Sequence, residues 1–286
     1  MDTEKTHIVP AQVKPTRLQD YGVGIFDSTY TKSALKKAIK KGLIKVNGER
    51  ASTATMISGG EKITLQGTES NQAHKSFIYR LKVLFEDEYL AVVHKPAGIL
   101  VNGNTFKTIA NALPSNIKPS PLKDACRPQP VHRLDYATTG VLMVGKTSSS
   151  IRTLNRLFEQ KSIRKEYFAV TIGQMREMSG EISSMINDKP ALSEYKVLKT
   201  VTSERFEQLN LVTLNPKTGR RHQLRKHLNE LGHPILGDRD YYLEGLLLKG
   251  KGMYLHAARL EFIHPFTGKS LIIEDDLPKK FKNIFP

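Results

Sequence analysis

Asp135 closes the stretch His132-Arg133-Leu134-Asp135, and Thr138-Thr139-Gly140 follows after two residues. An ionisable carboxylate, a guanidinium and an imidazole therefore share one short loop. A free aspartate titrates near ~4, so at neutral pH it is charged and able to serve as a nucleophile or a base. Burial would push that value up and a neighbouring arginine would pull it down. The apolar run Val141-Leu142-Met143-Val144-Gly145 comes immediately afterwards and reads as a buried strand. Reactive groups held next to a rigid element form the usual layout of a catalytic loop. Taken alone, an aspartate before Thr-Thr-Gly serves equally well as a turn residue that bonds its own backbone.

The elements that must position this loop form a series of short strands with a few helices among them. Strands are expected at 83–85, 90–93, 141–144, 167–172, 193–198, 206–214, 259–263 and 271–273. Helices are expected at 149–161, with Ile151, Leu154, Leu157 and Phe158 on one face, and at 222–231, closed by Gly232. This pattern predicts an α+β protein with a mainly antiparallel mixed sheet over residues 77–286. Residues 1–16 read as a flexible arm, 17–66 as a small α/β domain and 67–76 as a polar linker. Within the small domain, a helix over 33–41 turns Ala34, Leu35, Ala38 and Ile39 to one side and Lys36, Lys37, Lys40 and Lys41 to the other. Gly42 stops that helix, and Asn47-Gly48 makes a two-residue hairpin turn beyond it.

Lysine and arginine number 44 against 28 acidic residues, a formal net charge of +16 in 286 residues. A polyanion is the expected partner, and nucleic acid is favoured over a membrane surface because arginine accompanies lysine in a chain of folded-protein composition. No apolar run reaches the length of a bilayer span, and the single cysteine, Cys126, fits a reducing compartment. A cytoplasmic, monomeric protein is the expectation. His222 and His227 fall on different helix faces, no HExxH spacing occurs, and no P-loop or GxGxxG cradle is present, so neither metal nor cofactor is expected.

Four further segments extend the Asp135 stretch in a fixed order. They are Val92-Val93-His94-Lys95-Pro96-Ala97-Gly98, Lys165-Glu166-Tyr167-Phe168-Ala169-Val170, the run from Pro216 to Arg225 through Thr218-Gly219-Arg220 and His222-Gln223-Leu224, and Gly232-His233-Pro234-Ile235-Leu236-Gly237-Asp238. Leu255-His256-Ala257 and His264-Pro265-Phe266-Thr267-Gly268 complete the series. Together they resemble the RluA family of RNA pseudouridine synthases over nearly all of 77–286. Residues 17–65 resemble the small RNA-binding domain of a ribosomal small-subunit protein, the αL domain, although Gly22 and Gly24 interrupt its first helix.

The resemblance implies the pseudouridine synthase fold and isomerisation of uridine in RNA, with Asp135 as catalytic nucleophile or base. It implies Arg225 as the partner of Asp135, Tyr167 as the residue that stacks on the target uracil, and Leu224 and Arg220 in the same pocket. His132 and Arg133 would position the loop or a nearby phosphate, and the lysine face of residues 36, 37, 40 and 41 would meet RNA. The reaction breaks the N1–C1′ bond, turns the uracil and joins C5 to C1′, so no atoms or electrons enter or leave and no cofactor is required. The sequence departs from the family pattern at His94 (usually Asn), Tyr136-Ala137, Thr139 (usually Ser) and Arg221 (often Thr). The 214–238 segment is most like a branch that modifies tRNA, whereas the N-terminal domain is typical of ribosomal-RNA enzymes. Two rivals are a non-catalytic RNA-binding ribosome-assembly factor on the same fold and a glycoside hydrolase using Asp135 with Asp238. The net charge and the absence of tryptophan count against the second.

Overall fold

The computed structural model of the chain describes residues 4–11, 13, 15–26, 29, 32–66 and 77–286. The stretch 67–76, read as a linker, lies outside the described residues, as do 1–3, 12 and 14 of the expected arm.

The N-terminal unit comprises β1 (Glu4–Ile8), β2 (Thr16–Arg17), α1 (Leu18–Tyr21), α2 (Lys32–Lys40), β3 (Ile44–Val46), β4 (Glu49–Arg50), β5 (Met56–Ile57) and β6 (Lys62–Gln66). Four of its strands form a sheet in the order β1-β6-β3-β4. Leu35, Ala38 and Ile39 of α2 join Ile44, Ile57 and Ile63 in a separate core, which leaves Lys36, Lys37, Lys40 and Lys41 exposed. Gly42 adopts φ +72° just past the helix, and Asn47 (φ +51°) with Gly48 (φ +87°) turns β3 into β4. One expectation is corrected here. Residues 4–8 of the expected flexible arm form β1, because β6 has a free edge that an extended segment satisfies through its backbone. The first helix is cut short at Gly22, as its glycines lead one to expect, and runs for four residues.

The larger unit comprises β7 (Val83–Glu86), β8 (Leu90–Lys95), α3 (Ile109–Ala112), β9 (Ala125–Pro130), β10 (Thr139–Thr147), α4 (Ser148–Glu159), β11 (Arg164–Ile172), β12 (Ser179–Met185), β13 (Pro190–Ser203), β14 (Glu207–Pro216), α5 (Gln223–Glu230), β15 (Leu255–Ile263), β16 (Ser270–Glu274) and α6 (Lys279–Lys282). Eight strands run in the order β12-β13-β14-β11-β15-β10-β8-β7, with β16 on β15 and β9 on β10. Only the β10–β15 pair is parallel among the described strands; the others are antiparallel. The mixed, mainly antiparallel α+β sheet expected from sequence is therefore present.

Two core clusters divide this sheet. Val141–Val144 of β10 are fully buried with Ile151 and Leu154 of α4, as a central strand covered on both faces should be. Leu224 and Leu228 of α5 pack with Val212 and Leu214 in the second cluster. Tyr167 of β11 packs against both, so it stands on the seam between them. The expected strands all appear, usually longer. Two strands escape a reading of the sequence: β9 carries Pro128 and Pro130, which argue against a strand but are tolerated where it pairs with β10 alone, and β12 is a Ser-rich edge with little apolar alternation.

Candidate active site

The loop bearing Asp135 is fixed at three points. At its exit, Gly140 pairs with Ala257 across the parallel β10–β15 contact, and a β-carbon on Gly140 would lie 2.0 Å from the Ala257 carbonyl oxygen. Only glycine fits there, at φ +115°. Along its back, Lys95 at the end of β8 is 0% exposed, and its Nζ donates to the carbonyls of Pro96 (2.8 Å), Tyr136 (3.2 Å) and Thr138 (2.8 Å). Burial pulls Lys95 down to about 8, against the opposing charge of Asp135. At its entry, His132 Nε2 accepts the Met143 N–H (2.9 Å), and its ring stacks on Phe158 at 4.6 Å. Burial, with the charge of Lys165, brings His132 down to about 3. A neutral imidazole accepting a backbone bond is a structural post.

A hydrogen-bonded chain lies behind the loop. Thr139 Oγ1 contacts His256 Nδ1 (2.8 Å), His256 Nε2 contacts the Asp275 carbonyl oxygen (3.4 Å), and the Asp275 carboxylate pairs with His94 and with Lys82 (3.2 Å). Two of the departures from the family pattern, His94 and Thr139, thus belong to one network, which their separation in sequence conceals.

Asp135 faces a cleft of about 730 Å³ lined also by His132, Arg133, Tyr167, Arg220, His222, Leu224 and Arg225. Its side chain is 18% exposed, so the carboxylate remains reachable. Arg225 of α5 sends Nη1 to within 3.9 Å of Asp135, but the fork of the guanidinium engages Asp238, with Nε to Oδ2 at 2.6 Å and Nη2 to Oδ1 at 2.5 Å. Nη2 also meets Asp240 (2.7 Å), and the group lies over the Tyr241 ring. Arg225, expected as the partner of Asp135, does lie beside it, but a buried carboxylate thirteen residues along holds the fork, leaving one edge toward Asp135. From sequence, Asp238 suggests only a remote second glycosidase carboxylate.

His222 is a site residue that the sequence does not single out. It caps α5 in a left-handed conformation (φ +57°), places Nε2 3.8 Å from Asp135 and contacts Tyr241 through Nδ1 (3.1 Å). Its place in the 216–225 segment was the available signal. Burial lowers its pKa while Asp135 pulls the other way. Tyr167 is raised by burial and then by the charge of Asp135, so it stays a neutral phenol. It can stack and donate a hydrogen bond but not act as a base.

The 216–223 loop is organised by buried Gln223. Its Oε1 accepts from Thr218 Oγ1 (2.7 Å) and the Arg220 N–H (3.0 Å), and its Nε2 donates to Leu192 O (2.9 Å) and to Ser193 Oγ (2.8 Å). Arg220 is anchored in turn on the Pro190 carbonyl (3.1 Å). Lys36, Lys37, Lys40 and Lys41 are not among the residues lining this cleft and belong to the other unit. Among the described residues, no group of three or more His, Cys, Asp or Glu side chains is arranged to hold a metal, and no helix is long and apolar enough to cross a membrane.

The sequence model for RNA pseudouridylate synthase matches residues 89–230. An uncharacterised RNA pseudouridine synthase of Aquifex aeolicus is 34% identical, the alignment covering 90% of this chain and 89% of the relative. Ribosomal large subunit pseudouridine synthase D of Nitrosomonas europaea is 34% identical over 87% of this chain and 78% of its own. Among solved structures, human RNA pseudouridylate synthase domain containing 4 superimposes with a TM-score of 0.59 at 25% identity, covering 71% of this chain and 91% of that one.

Proposed function

Because this chain belongs to the RNA pseudouridylate synthase family, we propose that it isomerises uridine in large-subunit ribosomal RNA, with Asp135 as the group that attacks or deprotonates at the sugar–base junction. The observation that carries the assignment of Asp135 is its position as the loop carboxylate facing a cleft walled by Tyr167, His222 and Arg225. A base inside folded RNA must leave its stack before chemistry, and an aromatic face stabilises the extruded uracil. Tyr167 supplies that face and Leu224 packs beside it. Arg225 presents one N–H edge to Asp135, while Asp238 fixes the direction of that edge. His132 and Lys95 hold the loop, and Arg133 and Arg220 meet backbone phosphate.

The ribosomal target rests on relatives named for the large subunit and on the N-terminal unit, 17–66, whose exposed lysine face suits an RNA-binding domain. The cytoplasm, where ribosomal RNA is found and the single thiol stays reduced, is the matching compartment. Carbodiimide mapping of pseudouridines in rRNA and tRNA, with and without the gene, tests the target. Loss of one or more large-subunit rRNA signals is expected, and loss confined to tRNA would overturn the ribosomal assignment.

A further inference from the structure

A second cleft of about 430 Å³ opens beside the one that holds Asp135. The two share Phe158, Lys161, Lys165, Pro216 and Lys217, so these residues form the threshold between them. No carboxylate lines both clefts: Asp135 and Glu159 line only the first, and Glu166, Glu194 and Glu261 only the second.

Most cations in the second cleft are already matched. Lys217 pairs with Glu194 (2.7 Å), Arg164 with Glu261 (3.8 Å) and Arg259 with Glu261 (3.1 Å). Lys161 and Lys165 have no such carboxylate among the described residues. Lys165 is half-buried, and its pKa is lowered first by that burial and then by the charge of Lys161. Two ammonium groups at this threshold with no paired carboxylate form a charge arrangement that a bound anion would balance.

The backbone directs both groups. Lys161 follows α4 in the left-handed conformation (φ +59°), a position usually taken by glycine. Lys165 lies two residues before Tyr167 on β11, and both line the main cleft. A phosphate at Lys165 is therefore adjacent to a base stacked on Tyr167.

Resting on the reading of the main cleft as the uridine site, we infer that Lys161 and Lys165 bind a phosphodiester flanking the target uridine, and that the second cleft receives the neighbouring nucleotide over Phe158 and Ile163. Neither residue takes part in bond making. They set how the strand enters the site.

The test uses the full chain and a fluorescein-labelled 20-nucleotide polyuridylate. In the Lys161→Gln/Lys165→Gln variant, the slope of log affinity against log salt should flatten by about 1.4, two phosphates at about 0.7 each on a single strand. Lys161→Arg/Lys165→Arg should restore it, since either cation serves a phosphate. With 5-tritiated-uridine rRNA, KM should rise by a larger factor than kcat falls. Lys161→Gln alone, at an exposed position, covers the case in which the double variant is poorly folded, and should flatten the slope by about 0.7. An unchanged slope in both variants, or a loss that arginine does not rescue in a chain that melts normally, overturns the inference. If the wild type releases no tritium, the uridine reading fails instead, and the slope still reports on the lysine pair.

Discussion

Replacing Asp238 by asparagine should damage both stability and rate, although Asp238 is not expected to touch substrate. Its side chain is 0% exposed and accepts two charge-assisted bonds from Arg225, together with the N–H groups of Asp240 (2.9 Å) and Tyr241 (3.2 Å). Asparagine keeps one acceptor but turns a donor toward the guanidinium. One charged hydrogen bond is worth about 1.5–3 kcal/mol, and removing one member of a buried pair costs about 3–5 kcal/mol. Asp240 at 2.7 Å and Asp135 at 3.9 Å remain to offset part of the loss. The expected destabilisation is therefore about 3 kcal/mol, or about 6–12 °C in Tm for a unit of this size. With its fork released, Arg225 no longer aims Nη1 at Asp135, and misplacement of about 1 Å can cost about a hundredfold in rate. Circular-dichroism melting and tritium release well below Tm measure the two effects. Asp240→Asn is the control: its side chain is 62% exposed, so a change within about 1 kcal/mol is expected. An Asp238→Asn chain that melts within about 2 °C of wild type and turns over within about twofold would refute the account of Arg225.

Lys95 makes a prediction in pH. Its value of about 8 lies below the ordinary 10.5, so between the two the unfolded chain binds more protons and this group's contribution to stability rises with pH. The ammonium that holds the loop carbonyls is lost over the same window. Hence kcat should decline above about pH 8 without a matching fall in Tm from this group, and a kcat profile flat to pH 10 would count against the role of Lys95. Gly140→Ala places a methyl carbon 2.0 Å from a backbone oxygen at φ +115°, so a loss of at least about 4 kcal/mol or failure to fold is expected; a soluble, active variant would contradict the register of β10 on β15. Changing Lys36, Lys37, Lys40 and Lys41 together to Gln should flatten the salt dependence of RNA binding by about 0.7 for each phosphate that a lysine no longer neutralises. An unchanged slope would leave that face merely solvated.

The Asp135 loop and the sheet were legible in the sequence because each rests on local pattern. Val141–Val144 is a continuous apolar run, and Asn47-Gly48 can hardly be anything but a hairpin turn. The residues missed depend on long-range pairing. Nothing near Arg225 in sequence shows that Asp238 takes its fork, and nothing near Thr139 points to His256 or Asp275. Lys95 stands in a recognisable motif, but its burial beneath three carbonyls is a property of the folded loop. Strand β9 was hidden by its prolines, and β1 by a polar composition that the free edge of β6 nonetheless accommodates.

The central claim, that Asp135 carries the reaction, is tested most directly by single-turnover tritium release from 5-tritiated-uridine rRNA with wild-type and Asp135→Asn chains. The substitution keeps the shape of the side chain and removes its charge. A loss of more than about a thousandfold is predicted, the scale seen when a nucleophile or general base is removed, with Tm and RNA affinity close to wild type. Turnover within about tenfold of wild type in a normally folded Asp135→Asn chain would contradict it.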